Sequence, residues 1–170
     1  MNAPTPQRVP MHPALKILIA LGVLFGLGIP CCGITSAIAI PAFVGYVRRS
    51  KTAEARANVA AIALGVESYC TSESAAGAQG FPPAAGPTRA FPDAAREVFM
   101  GGSEWASVGF TPVEPLYYSY SMGPDGPGVF VVLAEGDLDG DGARSRFESR
   151  CTLDVAGCAC GPVIATDELE

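Results

Sequence analysis

Ala37-Ile-Ala-Ile-Pro-Ala-Phe-Val-Gly-Tyr-Val-Arg-Arg-Ser-Lys-Thr-Ala-Glu-Ala-Arg-Ala-Asn58 is where an uncharged sequence becomes a charged, two-faced one. No Asp, Glu, Lys or Arg lies between Lys16 and Arg48, so residues 17–47 form an uncharged run of 31. As a helix at about 1.5 Å per residue, the run exceeds the roughly 30 Å of bilayer hydrocarbon. It is expected to be a transmembrane helix, with residues 1–16 as a short cytoplasmic head. A cleaved signal has an apolar core of only about 7–15 residues, so retention is expected. Gly28-Ile-Pro-Cys31 matches a lipoprotein signal poorly, because Pro stands next to the Cys. Pro30 and Pro41 each remove a helical hydrogen bond and predict kinks. Gly22 and Gly26 form a GxxxG; with Pro41 they are candidate helix-packing positions, and lipid-facing glycine is the alternative.

Beyond the run, Ala55, Val59, Ile62, Val66 and Tyr69 recur at steps of four and three. That spacing is one apolar helical face, and it predicts an amphipathic helix over residues 52–70 continuing the first. Residues 116–122 are aromatic and β-prone, residues 123–128 are a Gly/Pro turn, residues 129–134 are all apolar, and residues 145–152 alternate. These predict three antiparallel strands. A shorter helix is expected over residues 93–100, and a Gly/Pro/Ala-rich surface loop over residues 75–92. The fold class is therefore α+β: a long N-terminal helix, transmembrane half plus amphipathic half, packed against a small antiparallel sheet at about residues 105–155. The globular domain spans residues 48–170.

The chain has 170 residues and a net charge of −6. After Val47 there are nine Lys or Arg against seventeen Asp or Glu, a net of −8. An acidic domain lacks the basic face that a nucleic-acid partner needs. Cys70, Cys151, Cys158 and Cys160 lie in this domain, and four cysteines in a small exported domain predict two disulfides. Cys158 and Cys160 are too close to pair with each other; which takes Cys70 and which Cys151 is open. There is no C-x-x-C pair for zinc, and the single histidine, His12, precedes the apolar run. Arg48, Arg49, Lys51 and Arg56 follow the run while Arg8 and Lys16 precede it. A bare positive-inside count would keep the domain inside, whereas the cysteines point outward.

Residues 37–58 resemble type IV pilins and pseudopilins, in which an apolar half-helix ends near such a Pro and passes through a basic step into an amphipathic half. Trp105, Gly109-Phe110, Pro115-Leu-Tyr-Tyr-Ser-Tyr120 and Ala134-Glu-Gly-Asp-Leu-Asp-Gly-Asp-Gly142 look like the globular domain of pilin-like proteins of delta-proteobacteria. The resemblance implies a single-pass protein of the bacterial inner membrane with a periplasmic or extracellular C-terminal domain. It implies a structural role beside other pilin-like subunits of a type IV pilus or type II secretion system. The prepilin processing signal is degenerate. Counting back from Pro41 puts Ile19 at the cleavage Gly, Ala20 at the following aromatic and Leu24 at the Glu. The resemblance therefore does not carry peptidase cleavage or ordinary major-pilin assembly over to this chain. The alternative is a stand-alone anchored binding module, calcium-dependent, on the same fold.

Calcium enters through residues 137–148, DLDGDGARSRFE, which fit an EF-hand loop. Asp137, Asp139, Asp141, Ser145 and Glu148 would supply side-chain oxygens, and Ala143 its carbonyl. The plain alternative is an acidic turn between strands. Enzyme signatures are absent: no G-x-S-x-G, no P-loop and no H-E-x-x-H. Asp139 and Asp141 are too close for a glycosidase pair. A non-enzymatic protein is expected.

Overall fold

The computed structural model describes residues 12–75, 80–89, 95–154 and 157–168, with the side chains of residues 27–32 and 74–75 outside that description. Its elements are α1 (Pro13–Ala75), α2 (Ser103–Ser107), β1 (Ser119–Pro124), β2 (Val129–Gly136), β3 (Ser145–Asp154), β4 (Gly157–Cys160) and β5 (Ile164–Thr166). The chain divides into two units, Met1–Val44 and Gly45–Glu170.

In the first unit α1 is the only element among the described residues, and it stays helical through Pro30 and Pro41. Its large apolar side chains are exposed, Ile17, Leu24, Phe25, Ile38 and Phe43 each by 61–70%. An added Cβ at Gly22 or Gly26 would meet nothing within 4 Å. Among the described residues no helix is long and apolar enough to cross a membrane. Residues 27–32, in the middle of the uncharged run, lie outside the described side chains.

In the second unit α1 presents Thr52, Ala55, Val59, Ile62, Ala63, Val66 and Cys70 as its buried face. The expected stripe is there, but it closes on Cys70 and not on Tyr69, because Cys70 is drawn inward by a disulfide to Cys158. The sheet is an antiparallel meander in the order β1-β2-β3-β4, and β5 also pairs with β3. Alternation places Phe130, Val132 and Ala134 of β2 and Phe147, Ser149 and Cys151 of β3 on the inner face. Tyr118, Tyr120, Phe130, Phe147, Ile62 and Val59 meet in one core. Fully burying each such side chain is worth about 1.5–3 kcal/mol.

Three boundaries differ from expectation. The sheet occupies residues 119–166, not 105–155, since β4 and β5 add to its edge and residues 103–107 are helical. The first strand begins at Ser119 and not at Leu116. Leu116 instead exchanges both backbone hydrogen bonds with Glu97 (2.8 and 2.9 Å), and the Tyr117 N–H donates to Glu54 (2.9 Å). Residues 95–100 are not helical. The same exchange with Leu116 holds Glu97 extended, and Phe99 packs edge-on against Trp105 and Phe110 at 5.8 and 5.2 Å. Residues 93 and 94 lie outside the described residues. Of the expected surface loop, residues 84–88 lie along the free edge of β1, pairing Ala85 with Met122 and donating the Thr88 N–H to Tyr120.

Candidate functional site

The acidic turn lies between β2 and β3. Gly140 and Gly142 adopt φ of +78° and +92°, the left-handed region where glycine is unstrained. This folds the backbone around Asp137, whose carboxylate accepts the N–H groups of Gly140 (2.7 Å) and Gly142 (2.9 Å). Asp141 accepts the N–H of Ala143 at 2.7 Å. Burial alone would raise the Asp137 pKa, but amide donation from Gly142, Gly140, Asp141 and Asp139 outweighs it and holds the carboxyl below its usual range. One carboxylate oxygen from each of Asp137, Asp139 and Asp141 lies within 4.8 Å of the others. The Arg48 guanidinium reaches Asp139 at 2.8 Å.

The remaining expected ligands are not brought to this cluster. Ser145 turns into the core, where its hydroxyl bonds the Gly136 carbonyl (3.0 Å) and the Tyr118 hydroxyl (3.2 Å). Glu148 sits in β3, accepting from Arg146 (2.9 Å) and Arg150 (2.6 Å). The reason is the strand itself: once β3 starts at Ser145, alternate side chains go to opposite faces. Calcium takes six to eight oxygens. This turn offers three carboxylates, one largely satisfied by backbone and one paired with arginine. The residues present therefore do not assemble the EF-hand ligand set.

The basic step of α1 is used by the domain around it. Arg48 pairs with Asp139, Lys51 lies 4.6 Å over the Tyr117 ring, and Arg56 pairs with Glu168 at 2.9 Å while lying over Phe147. Arg49 is exposed.

Sequence reasoning missed the helix carboxylates. Glu54 accepts the Tyr117 N–H and, at 3.4 Å, the Tyr120 hydroxyl; Glu67 accepts the Cys160 N–H at 2.6 Å. Nothing local to a helix marks these two acids, since their partners lie 63 and 93 residues away. Arg89 was missed for the same reason. Its nearly buried guanidinium donates to the carbonyls of Tyr117 (2.6 Å) and Ala95 (2.9 Å).

The cysteines pair as Cys70–Cys158 and Cys151–Cys160. Burial pushes Tyr118 up to about 12, the Ser145 hydrogen bond lowering it and the Glu54 and Glu168 charges adding to the rise. A groove of about 680 Å3 lies on the outward side of the sheet, lined by residues 84–88, Met100, Val131, Leu133, Arg146 and Arg150. No protein-family model, curated protein or solved structure matches the chain.

Proposed function

We propose that this chain is a membrane-anchored, pilin-like structural subunit, a minor or degenerate member associated with a type IV pilus or type II secretion machine. One observation carries the reading. A single helix is continuous from an uncharged, exposed apolar stretch into an amphipathic stretch that packs on a small antiparallel sheet. Apolar side chains exposed by more than half on an isolated helix are costly in water and favoured in lipid or against other apolar helices. The chemistry required is packing, and the site residues described above hold the fold together without a constellation of nucleophile and base.

The orientation outward is supported by the disulfides, which persist in oxidising compartments. It is supported also by the fate of the basic step. Arg48, Lys51 and Arg56 each have a partner in the folded domain, which accounts for their presence without a cytoplasmic address.

The test is fractionation of the native source together with mass spectrometry of the mature N-terminus. The protein is expected in carbonate-resistant membranes and in shaved pilus or pseudopilus fractions. Its release by carbonate would overturn the anchor, and its absence from the filament fractions would leave the anchored binding module as the reading. The mature N-terminus decides processing: an intact Met1 or Asn2 end means no peptidase cleavage, in keeping with Ile19, Ala20 and Leu24 standing where a processing signal would be.

A further inference from the structure

The two disulfides differ in their surroundings. Cys70–Cys158 joins α1 to β4 across 88 residues of chain. Cys151–Cys160 joins directly opposed residues of the neighbouring strands β3 and β4, nine residues apart. Cys70 and Cys151 are fully buried, whereas Cys158 and Cys160 are half-buried. A cleft of about 290 Å3 opens between α1 and the segment following β4, walled by Ala60, Ala63, Leu64, Glu67 and Val163. Cys160 lines this cleft, and neither Cys70 nor Cys158 does. No residue of β4 is fully buried, and of the bridged pair only Cys151 belongs to the buried core. With Cys70–Cys158 intact, β4 remains tied to α1.

We infer that Cys151–Cys160 is a thiol-exchange site, reduced ahead of Cys70–Cys158 by a small neutral dithiol that enters the cleft beside Cys160. Exchange rates depend on which sulfur is reachable and on the attacking thiolate. A thiolate of the dithiol attacks the Cys160 sulfur, forming a mixed disulfide and releasing Cys151 as a thiolate. The second thiol of the reagent then attacks the mixed disulfide, releases Cys160 and closes the reagent's own disulfide. Two electrons pass from the dithiol to the protein, and its two protons end on Cys151 and Cys160. Glu67 adds selectivity. Its carboxylate stands in the cleft wall, held by the Cys160 N–H, and repels reagents that carry carboxylates of their own, such as glutathione.

The experiment is graded reduction of the full chain with dithiothreitol in native buffer, followed by alkylation and peptide mapping by mass spectrometry. Cys151 and Cys160 are expected to be labelled at a dithiol concentration at least tenfold below that needed for Cys70 and Cys158, with Trp105 fluorescence unchanged. Labelling of Cys70 and Cys158 first, simultaneous labelling of all four, or labelling only as Trp105 fluorescence is lost would each overturn the assignment. Glu67→Gln supplies the second arm. It is expected to raise the rate with glutathione relative to dithiothreitol several-fold, and an unchanged ratio would overturn the route through the cleft.

Discussion

Gly65→Ala sets two effects against each other at one position. On an open helix surface alanine is better than glycine by about 0.8–1 kcal/mol. Here, however, α1 approaches the backbone after α2. A Cβ built on Gly65 would overlap the Val108 carbonyl oxygen and lie 2.8 Å from its carbon and 3.0 Å from its Cβ. An unstrained C···O contact is about 3.3 Å or longer. The obstacle is backbone and cannot rotate aside, so either α1 or the 105–110 turn must move. Overpacking of this kind costs roughly 1–3 kcal/mol, and a backbone obstacle belongs at the upper end. Subtracting the helix-propensity gain leaves a net loss of about 1–2 kcal/mol. The assay is urea denaturation of the full chain followed by Trp105, the one tryptophan in the sequence, which is 4% exposed and sits in this turn. Gly45→Ala is the control, because a Cβ there meets nothing within 4 Å, and it should leave the midpoint unchanged or raise it. If Gly65→Ala unfolds at or above the wild-type midpoint with an unchanged m-value, the close approach of helix and turn is not a feature of the folded protein.

Removing Cys70–Cys158 by paired alanine substitution should cost about 4–5 kcal/mol, and removing Cys151–Cys160 about 2.5–3 kcal/mol, because the loops they close differ tenfold in length; equal losses in chemical denaturation would refute the entropic account. Glu54→Ala strips an acceptor from the Tyr117 N–H and should lower stability by about 1–3 kcal/mol, with Glu54→Gln, which keeps an oxygen, falling between it and wild type. Tyr118 in the folded state titrates near 12 and in the unfolded chain near 10, so its contribution is complete below pH 10 and is lost as pH rises toward 12; Tyr118→Phe should flatten that alkaline decline in thermal melts. Millimolar calcium should leave the melting temperatures of wild type and Asp139→Ala equally unmoved, because Ser145 and Glu148 are turned away from the acidic turn; a rise in wild type that Asp139→Ala abolishes would restore the calcium reading.

What was legible in the sequence follows the range of the signal. The apolar face of α1 is written in steps of three and four, and it was read to within one residue at Cys70. The strands at residues 129–134 and 145–152 were legible, the first from its unbroken apolar run after a Gly/Pro turn and the second from alternation, and each runs two residues further in the structure. The acidic turn was found, but its chemistry was not. A twelve-residue pattern counts positions, and it is indifferent to whether Ser145 and Glu148 lie in a helix or in a strand that sends them to opposite faces. The short helix was misplaced to residues 93–100 because Ala, Arg and Glu there favour helix locally, whereas Glu97 pairs with Leu116 in the folded chain and the helix forms at residues 103–107. Glu54, Glu67 and Arg89 carry no local mark at all. Each acts on backbone that only the folded chain brings near.

Those unmarked residues settle a question that the apolar stripe leaves open. A face that repeats every three or four residues resists sliding only in part: moved by seven residues, α1 keeps most of its apolar positions toward the sheet but brings Arg48 and Arg56, or Glu73, onto buried ones. The polar contacts do not tolerate it. A slide of seven would put Val47 or Ala61 where Glu54 meets the Tyr117 N–H, and Ala60 or Ser74 where Glu67 meets the Cys160 N–H. Asn58 or Ser72 would replace Gly65 against the Val108 carbonyl, where even a Cβ does not fit. Two backbone donors would lose their acceptors, at about 1–3 kcal/mol each, and one backbone would collide with a side chain. The stripe therefore makes the helix adhere, while two carboxylates and one glycine fix where along the helix the sheet sits.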